Sequence, residues 1–563
     1  MRTELLVQYI LRAASDKMTG SSTPPNRPHL SAEKANMETS SHEIRQWLAS
    51  PQAHPDSLGT VEVCETHISW VLLTDRFAFK LKKPVAFDFL DFSTIELRRQ
   101  ACLQELELNR RLAPDVYLEV LPIYRVPGGT YGWSVPVGPL GGGPMDGELV
   151  DWVVKMRRLA ANDAMDHLIR QGELTPDDEQ RVADYLATFY QGISPAPITG
   201  DDYRHNFVSR VEENLHELTS TMPDHNQLIR RIHSLQLRML RVDSPEFDRR
   251  VDQGRSVEGH GDLRPDHVYL EQPPAIIDCI EFSSEFRTVD VADELSFLDM
   301  ECQRLGNITV GPRLLAAWLQ ASGDDIPDRI YAFYSTYRAY VRAKVAVLRQ
   351  QQLAQRNQSA DLTLPLDYLH LAERLAQPLG QPILLVVGGL SGTGKSTLAR
   401  SLASELGIDI LSTDSIRQQL LGPSPTPAGY GQGHYHPQQR AKVYQQLASR
   451  AQQQLSHWLS LIVDGTFLAH TQREQMFELA RQHGAAALFV ECHCDRATAI
   501  ARITRRAAEG KSDSEARGEF YDLQASQWTP PTIDQPHAKV DTTWPGSRQT
   551  ATVYDALRNL LYG

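Results

Sequence analysis

Three things are scarce in this chain of 563 residues. No apolar run approaches 18 residues, so nothing reads as a membrane-spanning helix. The six cysteines (Cys64, Cys102, Cys279, Cys302, Cys492, Cys494) lack the density and spacing of a disulfide framework, and a reducing cytoplasm is the expected compartment. Cys492-His493-Cys494 offers no second ligand pair for zinc. Positive charge is also short: 57 Lys and Arg against 70 Asp and Glu, a net −13. That balance argues against a broad nucleic-acid surface or an anionic membrane partner and leaves room only for a local basic patch. The first residues, MRTELLVQYILRAASDK, are followed by no clear small-residue cleavage site, so no signal peptide is expected. Residues 1–41 read as a disordered leader, polar and with three prolines over 19–41, and Met18 or Met37 would serve as well for a start. What remains is ordinary globular composition, 41% hydrophobic and 23% charged, enough for two to four domains.

The sharpest motif lies late. An apolar run, Ile383 to Val387, meets Gly389-Leu390-Ser391-Gly392-Thr393-Gly394-Lys395-Ser396, followed by Thr397 and a helix-period segment. This fits G-x-x-x-x-G-K-[ST] in its strand–loop–helix setting. Missing side chains let backbone N–H groups close round phosphate oxygens at a helix N-terminus, where the dipole also favours anions. Lys395 would neutralise the β/γ-phosphates and Ser396 would ligate Mg²⁺, so the expected cofactors are ATP and Mg²⁺.

Upstream, strand-like runs at 62–73 and 76–81 precede a helix over 93–112, with Glu105 on it, and two further strands near 117–126 and 131–137. In FAFKLKK, Phe77 and Phe79 share one strand face while Ala78, Lys80 and Lys82 share the other. Residues 138–147 are glycine-rich. The segment 149–159 then leads into helical patterns near 162–171, 176–192, 204–219 and 225–242, forming a mostly helical lobe. Within it lies His260-Gly261-Asp262-Leu263-Arg264-Pro265-Asp266-His267, then Ile276-Ile277-Asp278-Cys279-Ile280-Glu281-Phe282 and Asp290-Val291-Ala292-Asp293-Glu294-Leu295.

HGDLRPDH resembles the catalytic loop H-G-D-L-H-x-x-N of aminoglycoside phosphotransferase-like kinases, IIDCIEF their metal-binding strand, and FAFK the strand that presents the ATP lysine. Order and spacing agree over about 62–298. More closely, the chain resembles uncharacterised bacterial proteins that fuse such a domain to a C-terminal P-loop kinase. The resemblance implies that Lys80 contacts the α/β-phosphates, Glu105 holds Lys80, Asp262 accepts the substrate hydroxyl proton and Asp278 binds Mg²⁺. His267 stands where the pattern has a metal-ligating Asn, and Arg264 where it often has a second His. An imidazole is a poor ligand for hard Mg²⁺, and Asp266 is the neighbouring carboxylate.

After the phosphate loop, strands are expected at 408–411, 459–463 and 485–492. Asp414 falls at the end of the first of these, where ligands bind in parallel sheets, with Arg417 one helical turn on. S-x-D-x-x-R resembles small-molecule P-loop kinases and the kinase domain of polynucleotide kinases, which implies that Asp414 activates the acceptor hydroxyl and Arg417 orients it. Asp464 ends the next strand and would assist Mg²⁺. Arg502, Arg505 and Arg506, before the polar stretch AAEGKSDSEAR, resemble a kinase lid.

The expectation is thus a two-domain α/β and α+β protein. Residues 42–376 form a bilobal protein-kinase-like fold, 377–381 a linker, and 382–563 a P-loop NTPase with a parallel sheet flanked by helices. Both halves would transfer the γ-phosphate of ATP to hydroxyls of small molecules. Three alternatives stay open: a polynucleotide 5′-hydroxyl kinase, opposed by 17 basic against 16 acidic residues over 381–563; a pseudokinase sensor regulating the second domain; and a P-loop ATPase that phosphorylates nothing.

Overall fold

The computed structural model describes residues 41–54, 59–66, 68–87, 90–133, 147–355, 361–422, 431–509 and 518–563. The leader, apart from Ser41, and most of the glycine-rich segment and the lid lie outside them. Contacts divide the chain into two units, 41–199 with 250–372, and 200–249 with 373–563. This departs from a boundary at 377–381. Among the described residues no helix is long and apolar enough to cross a membrane.

Unit 1 opens with a helix over 41–48, in which Ser41, expected in the leader, is already buried. A six-stranded antiparallel sheet follows, in the order β1 (Glu62–Glu65), β2 (Ser69–Leu73), β3 (Phe77–Lys82), β8 (Glu148–Arg157), β6 (Tyr117–Arg125), β7 (Tyr131–Trp133). A small hairpin, β4 (Ala86–Phe87) and β5 (Leu90–Asp91), precedes the helix Ile95–Arg110. The segment 149–159, read as a lead-in to helices, is therefore a central strand. The helix is capped by Thr94, whose hydroxyl accepts from the Leu97 N–H at 3.2 Å. Its buried positions are Arg98, Ala101, Cys102, Glu105 and Asn109, spaced at three and four, whereas Leu103 is 42% exposed. Its inward stripe is polar because it meets the cationic face of β3.

The rest of unit 1 is helical, built on a core that includes Leu186, Leu263, Val268, Leu295 and Leu314. Short strands frame its loops: β9 (Ser256–Glu258) pairs with β12 (Thr288–Asp290), and β10 (Val268–Tyr269) with β11 (Ala275–Ile276). Beneath the His260–Asp262 loop, the Glu294 carboxylate accepts the N–H groups of His260 (2.7 Å) and Gly261 (2.8 Å) and the Tyr190 hydroxyl (2.7 Å).

Unit 2 is a five-stranded, wholly parallel sheet in the order β14 (Asp409–Ser412), β15 (Leu461–Asp464), β13 (Ile383–Gly388), β16 (Ala486–His493), β17 (His537–Asp541). Every residue of β13 is buried, as a central parallel strand covered on both faces requires. Two helices from the middle of the chain, Gly200–Thr221 and Asn226–Val242, belong to this unit. Val242 joins the core of Ile383, Leu385 and Val387. Arg238 donates to the carbonyls of Leu379 and Gln381, each at 2.5 Å, which ties down the expected linker.

Candidate functional site

In unit 1, β3 and the helix Ile95–Arg110 bring opposite charges together in a largely buried cluster at the edge of a cavity. Lys80 Nζ lies 2.7 Å from Glu105 Oε1 and 3.1 Å from Asp278 Oδ1. Lys82 Nζ lies 2.7 Å from Glu105 Oε2 and 2.6 Å from Glu281 Oε1. Burial pulls the Lys80 ammonium down, but the carboxylates of Asp278 and Glu105 outweigh it and hold it well above the usual lysine range. For Glu105, burial pushes upward and the two lysines more than reverse it, leaving its pKa low.

Asp278 adopts φ +67°, in the left-handed region that a non-glycine residue enters at a cost of about 1–2 kcal/mol. One carboxylate oxygen, Oδ2, is buried without a hydrogen-bond partner, and so is Asp262 Oδ1. Burial raises the Asp262 pKa, yet the guanidinium groups of Arg264 and Arg342 bring it below the ordinary value. Lys80, Asp262, His267 and Asp278 line a cavity of about 560 Å³ with Leu73, Ala78 and Met156, within the range of small-molecule sites.

His267 is held otherwise than an open metal ligand would be. Its Nδ1 lies 2.9 Å from the Asp262 carbonyl oxygen, so that nitrogen carries the proton and donates. The lone pair of Nε2 then accepts from Arg264 Nη2 at 2.7 Å, and the same guanidinium donates to Asp262 Oδ2 at 3.1 Å. His267 Nε2 stands 3.6 Å from Asp278 Oδ2. In this arrangement the expected ligand is a bridge between Arg264 and the Asp262 backbone, because its one free lone pair is used.

In unit 2 the loop Gly389–Gly394 leaves β13 and enters the helix Lys395–Leu406, with Gly394 as N-cap at φ +82°. Gly389 has φ +146°, and a Cβ there would sit 2.4 Å from the Cys492 carbonyl oxygen, so only glycine fits. Thr393 Oγ1 donates to the Leu390 carbonyl at 2.8 Å and fixes the loop's curl. Lys395, Ser396 and Thr397 occupy the helix's first turn, where the backbone N–H groups are the natural anion cradle. Ser391 N–H donates to Gln524 Oε1 at 2.7 Å.

Asp464 ends β15 in register with Val387 and Ser412, which places it beside the loop and beside Asp414. Its Oδ1 is buried and unpartnered, and burial raises its pKa against the pull of Lys395 and Ser396. An uncompensated buried carboxylate oxygen next to a serine hydroxyl is a donor set suited to a hard divalent cation such as Mg²⁺. Asp414 opens the helix Thr413–Leu421, capped by Ser412, and is ion-paired with Arg417, which stacks 4.7 Å over the Tyr435 ring.

The arginines expected in a lid divide. Arg502 donates to Thr542 Oγ1 and to its carbonyl, each at 2.9 Å, and Thr542 Oγ1 donates to the Thr393 carbonyl at 2.7 Å. In this structure it braces the phosphate loop. Arg505 is exposed and Arg506 half-buried farther along the helix Arg496–Glu509; residues 510–517 are outside the described set. Sequence reasoning left Glu281, Gln524 and Thr542 unassigned, and gave Lys82 only a strand face. Two lysines on one face of a strand were the visible signal for the first pair.

Residues 384–531 match the family described as AAA domain. Among solved structures, the chain is similar to a gluconokinase from Sinorhizobium meliloti 1021 (18% identity, TM-score 0.24, 32% of this chain and 94% of that one). It is also similar to the Mycobacterium tuberculosis APS kinase CysC, solved with AMPPNP and APS (19% identity, TM-score 0.24, 32% and 98%). Uncharacterized protein Rv2004c of Mycobacterium tuberculosis and Uncharacterized protein Mb2027c of Mycobacterium bovis are each 31% identical over 514 residues, spanning 89% of this chain and 96% of theirs. With 89% of this chain covered, the chain belongs to the family of these mycobacterial proteins, and its residues 384–531 form an AAA domain with a P-loop.

Proposed function

We propose that the protein is an ATP-dependent phosphotransferase with two nucleotide sites, each delivering the γ-phosphate to a hydroxyl of a small molecule. The observation that carries the reading recurs in both units: a lysine acts on a carboxylate that keeps a buried oxygen without a partner, Lys80 on Asp278 (with Asp262 Oδ1 likewise orphaned) and Lys395 on Asp464. Such oxygens are costly in a dry interior unless a cation or a proton donor reaches them.

In unit 2, Lys395 and the N–H groups of the first helical turn hold the phosphates. Ser396 and Asp464 would hold Mg²⁺, which when bound neutralises charge on the phosphate oxygens. Asp414, at the mouth of the parallel sheet, accepts the proton of the attacking hydroxyl, and Arg417 orients the acceptor. In unit 1, read as an aminoglycoside phosphotransferase-like kinase, Lys80 anchors the phosphates with Glu105 behind it. Asp278 is the metal ligand and Asp262 the base, its carboxylate kept ionised by Arg264 so that a hydroxyl proton has an acceptor at neutral pH. No other residue is needed to balance the transfer: the hydroxyl oxygen bonds to phosphorus, the bond to ADP breaks, and the proton goes to the aspartate.

One observation favours a second reading for unit 1, nucleotide binding without turnover. The Nε2 lone pair of His267 is spent on Arg264, so Asp278 has one fewer neighbour able to share a cation.

The test is transfer of label from γ-labelled ATP to a small-molecule extract by wild type, Asp262→Ala and Asp414→Ala. Label should reach acceptors with wild type, with a distinct product lost in each variant. Label found only as inorganic phosphate would favour an ATPase, and label unchanged in both variants would remove both assigned bases. Label on added oligonucleotides, sensitive to salt, would favour the polynucleotide kinase reading.

A further inference from the structure

We propose that Lys82 and Glu281 are positioning residues for the nucleotide site of unit 1, forming a second ion pair that locks Glu105, and through it Lys80, in the engaged geometry. The inference rests on reading unit 1 as a nucleotide site and goes beyond it, since that reading needs only Lys80 and Glu105.

Lys80 and Lys82 are two apart on β3, so both side chains leave the same face of the strand. They divide Glu105 between them, one ammonium on each carboxylate oxygen at 2.7 Å. Glu105 is thereby held from two sides. Lys82 is fully buried, and its remaining contacts are Glu281 Oε1 at 2.6 Å and the face of the Phe92 ring at 4.9 Å. Glu281 itself lies three residues beyond Asp278, so the ion pairs run Asp278–Lys80–Glu105–Lys82–Glu281 and the backbone from 278 to 281 closes the ring.

The ring ties three pieces together: β3, the helix Ile95–Arg110, and the Asp278–Glu281 segment. With a single lysine, Glu105 would have one partner, and that partner must also serve the phosphates. When Lys80 turns to a phosphate, its hold on Asp278 is released, and Asp278 is free for a cation. Lys82 touches no cavity surface and has no such second duty, whereas Glu281 also reaches the cavity lining. It keeps Glu105 in place while Lys80 changes partners. Swinging the helix outward would break both contacts to Glu105 and strand Lys82 in the interior with Glu281 alone.

A purely structural pair would behave differently. A buried ion pair can usually be replaced by uncharged side chains of similar shape without loss of stability. Lys82→Met/Glu281→Gln makes that exchange and removes one charge of each sign, leaving the ring's net charge unaltered. The experiment uses the full chain carrying Lys395→Ala, to silence the P-loop, and measures binding of a non-hydrolysable ATP analogue by calorimetry. Thermal melting and hydrogen exchange over 95–110 accompany it.

The expected result is a loss of affinity of about 10–100-fold in the double variant, the range seen when supporting contacts are removed from a preorganised site. Faster exchange in the helix should appear with it, at a melting temperature within a few degrees of the parent. Glu281→Gln alone, which leaves both lysines on Glu105, should lose less, with faster exchange over 95–110 that mere loss of a contact from Glu281 at the cavity lining would not produce; it serves if the double variant does not fold. Wild-type affinity in these variants, with Lys80→Ala abolishing binding, would overturn the clamp and spare the nucleotide site. Absence of analogue binding in the Lys395→Ala parent would overturn the reading of unit 1 and the clamp with it.

Discussion

Leu237→Ala, in a helix more than 150 residues before the phosphate loop, should destabilise the unit that contains that loop. Leu237 is 1% exposed in the helix Asn226–Val242. Its Cδ1 lies 3.0 Å from where a Cβ on Gly407 would stand, at the C-terminal cap of the helix Lys395–Leu406. The same helix delivers Val242 into the core of β13, and its Val242 carbonyl accepts from Arg558 Nε at 2.7 Å. Truncating a fully buried leucine costs about 2–5 kcal/mol in lost burial and residual cavity. For a unit of this size each kcal/mol lowers the midpoint by about 2–4 °C, so a fall of roughly 4–20 °C is expected. Hydrogen exchange resolves where the loss falls. Amides of β13 and of Lys395–Leu406 that open with their unit should exchange at least about 30-fold faster, at 1.4 kcal/mol per tenfold. Leu186→Ala, equally buried in the helical core of unit 1, is the matched control and should leave those amides unchanged. If Leu237→Ala instead accelerates exchange only within 41–199 and 250–372, or if the P-loop helix keeps its protection, the helical pair does not belong to the P-loop unit.

Two further outcomes follow from buried charge. Asp464→Asn removes a carboxylate whose Oδ1 has no partner, so the melting temperature should hold or rise while Mg²⁺-dependent turnover by unit 2 falls by about 100-fold or more; equal turnover would remove Asp464 from the site. His233 is buried, and burial lowers its pKa to about 4 from an ordinary 6.5. The folded state therefore binds fewer protons than the unfolded one across that window. Stability from this group is present above pH 6.5 and lost as pH falls toward 4, by up to about 3 kcal/mol. Melting of unit 2 at pH 7 and pH 4.5 should show a shallower acid dependence in His233→Phe, and identical slopes would refute the assignment.

What the sequence disclosed depended on how local the physics was. The run 383–406 was readable because strand, loop and helix are consecutive and the loop's need for glycine is a backbone matter; β13 ends within one residue of the expected place. The fifth parallel strand, β17, was missed because His537-Ala538-Lys539-Val540-Asp541 buries only two small apolar residues at a sheet edge. β8 was passed over for the opposite reason. In ELVDWVVKMR apolar residues fall at both parities, as a central strand covered on both faces allows, and no clean period of two survives. Helical periodicity over 204–219 and 225–242 correctly gave helices, but an amphipathic face declares that something will cover it without naming what. Hence the boundary placed at 377–381 missed that 200–249 joins the later unit.

The candidate sites divide along the same line. Gly389 through Ser396, Asp414 and Asp464 sit at strand ends, and a parallel sheet brings strand ends together whatever the loops do, so their convergence could be reasoned from order alone. Glu105 could be placed only through resemblance, since the helix carrying it has a polar inward stripe that periodicity reads as a solvated face. Its partner Lys80 is 25 residues away, and the Lys82–Glu281 contact spans 199. Nothing in β3 distinguishes a buried lysine from a solvated one except what lies opposite, and that is set by the closure of a sheet, a helix and a distant loop. Charge on an inward strand face therefore carries information that hydropathy discards. Two lysines there demand carboxylates somewhere in the chain, because burying either ammonium alone would cost more than a unit of this size has to spare.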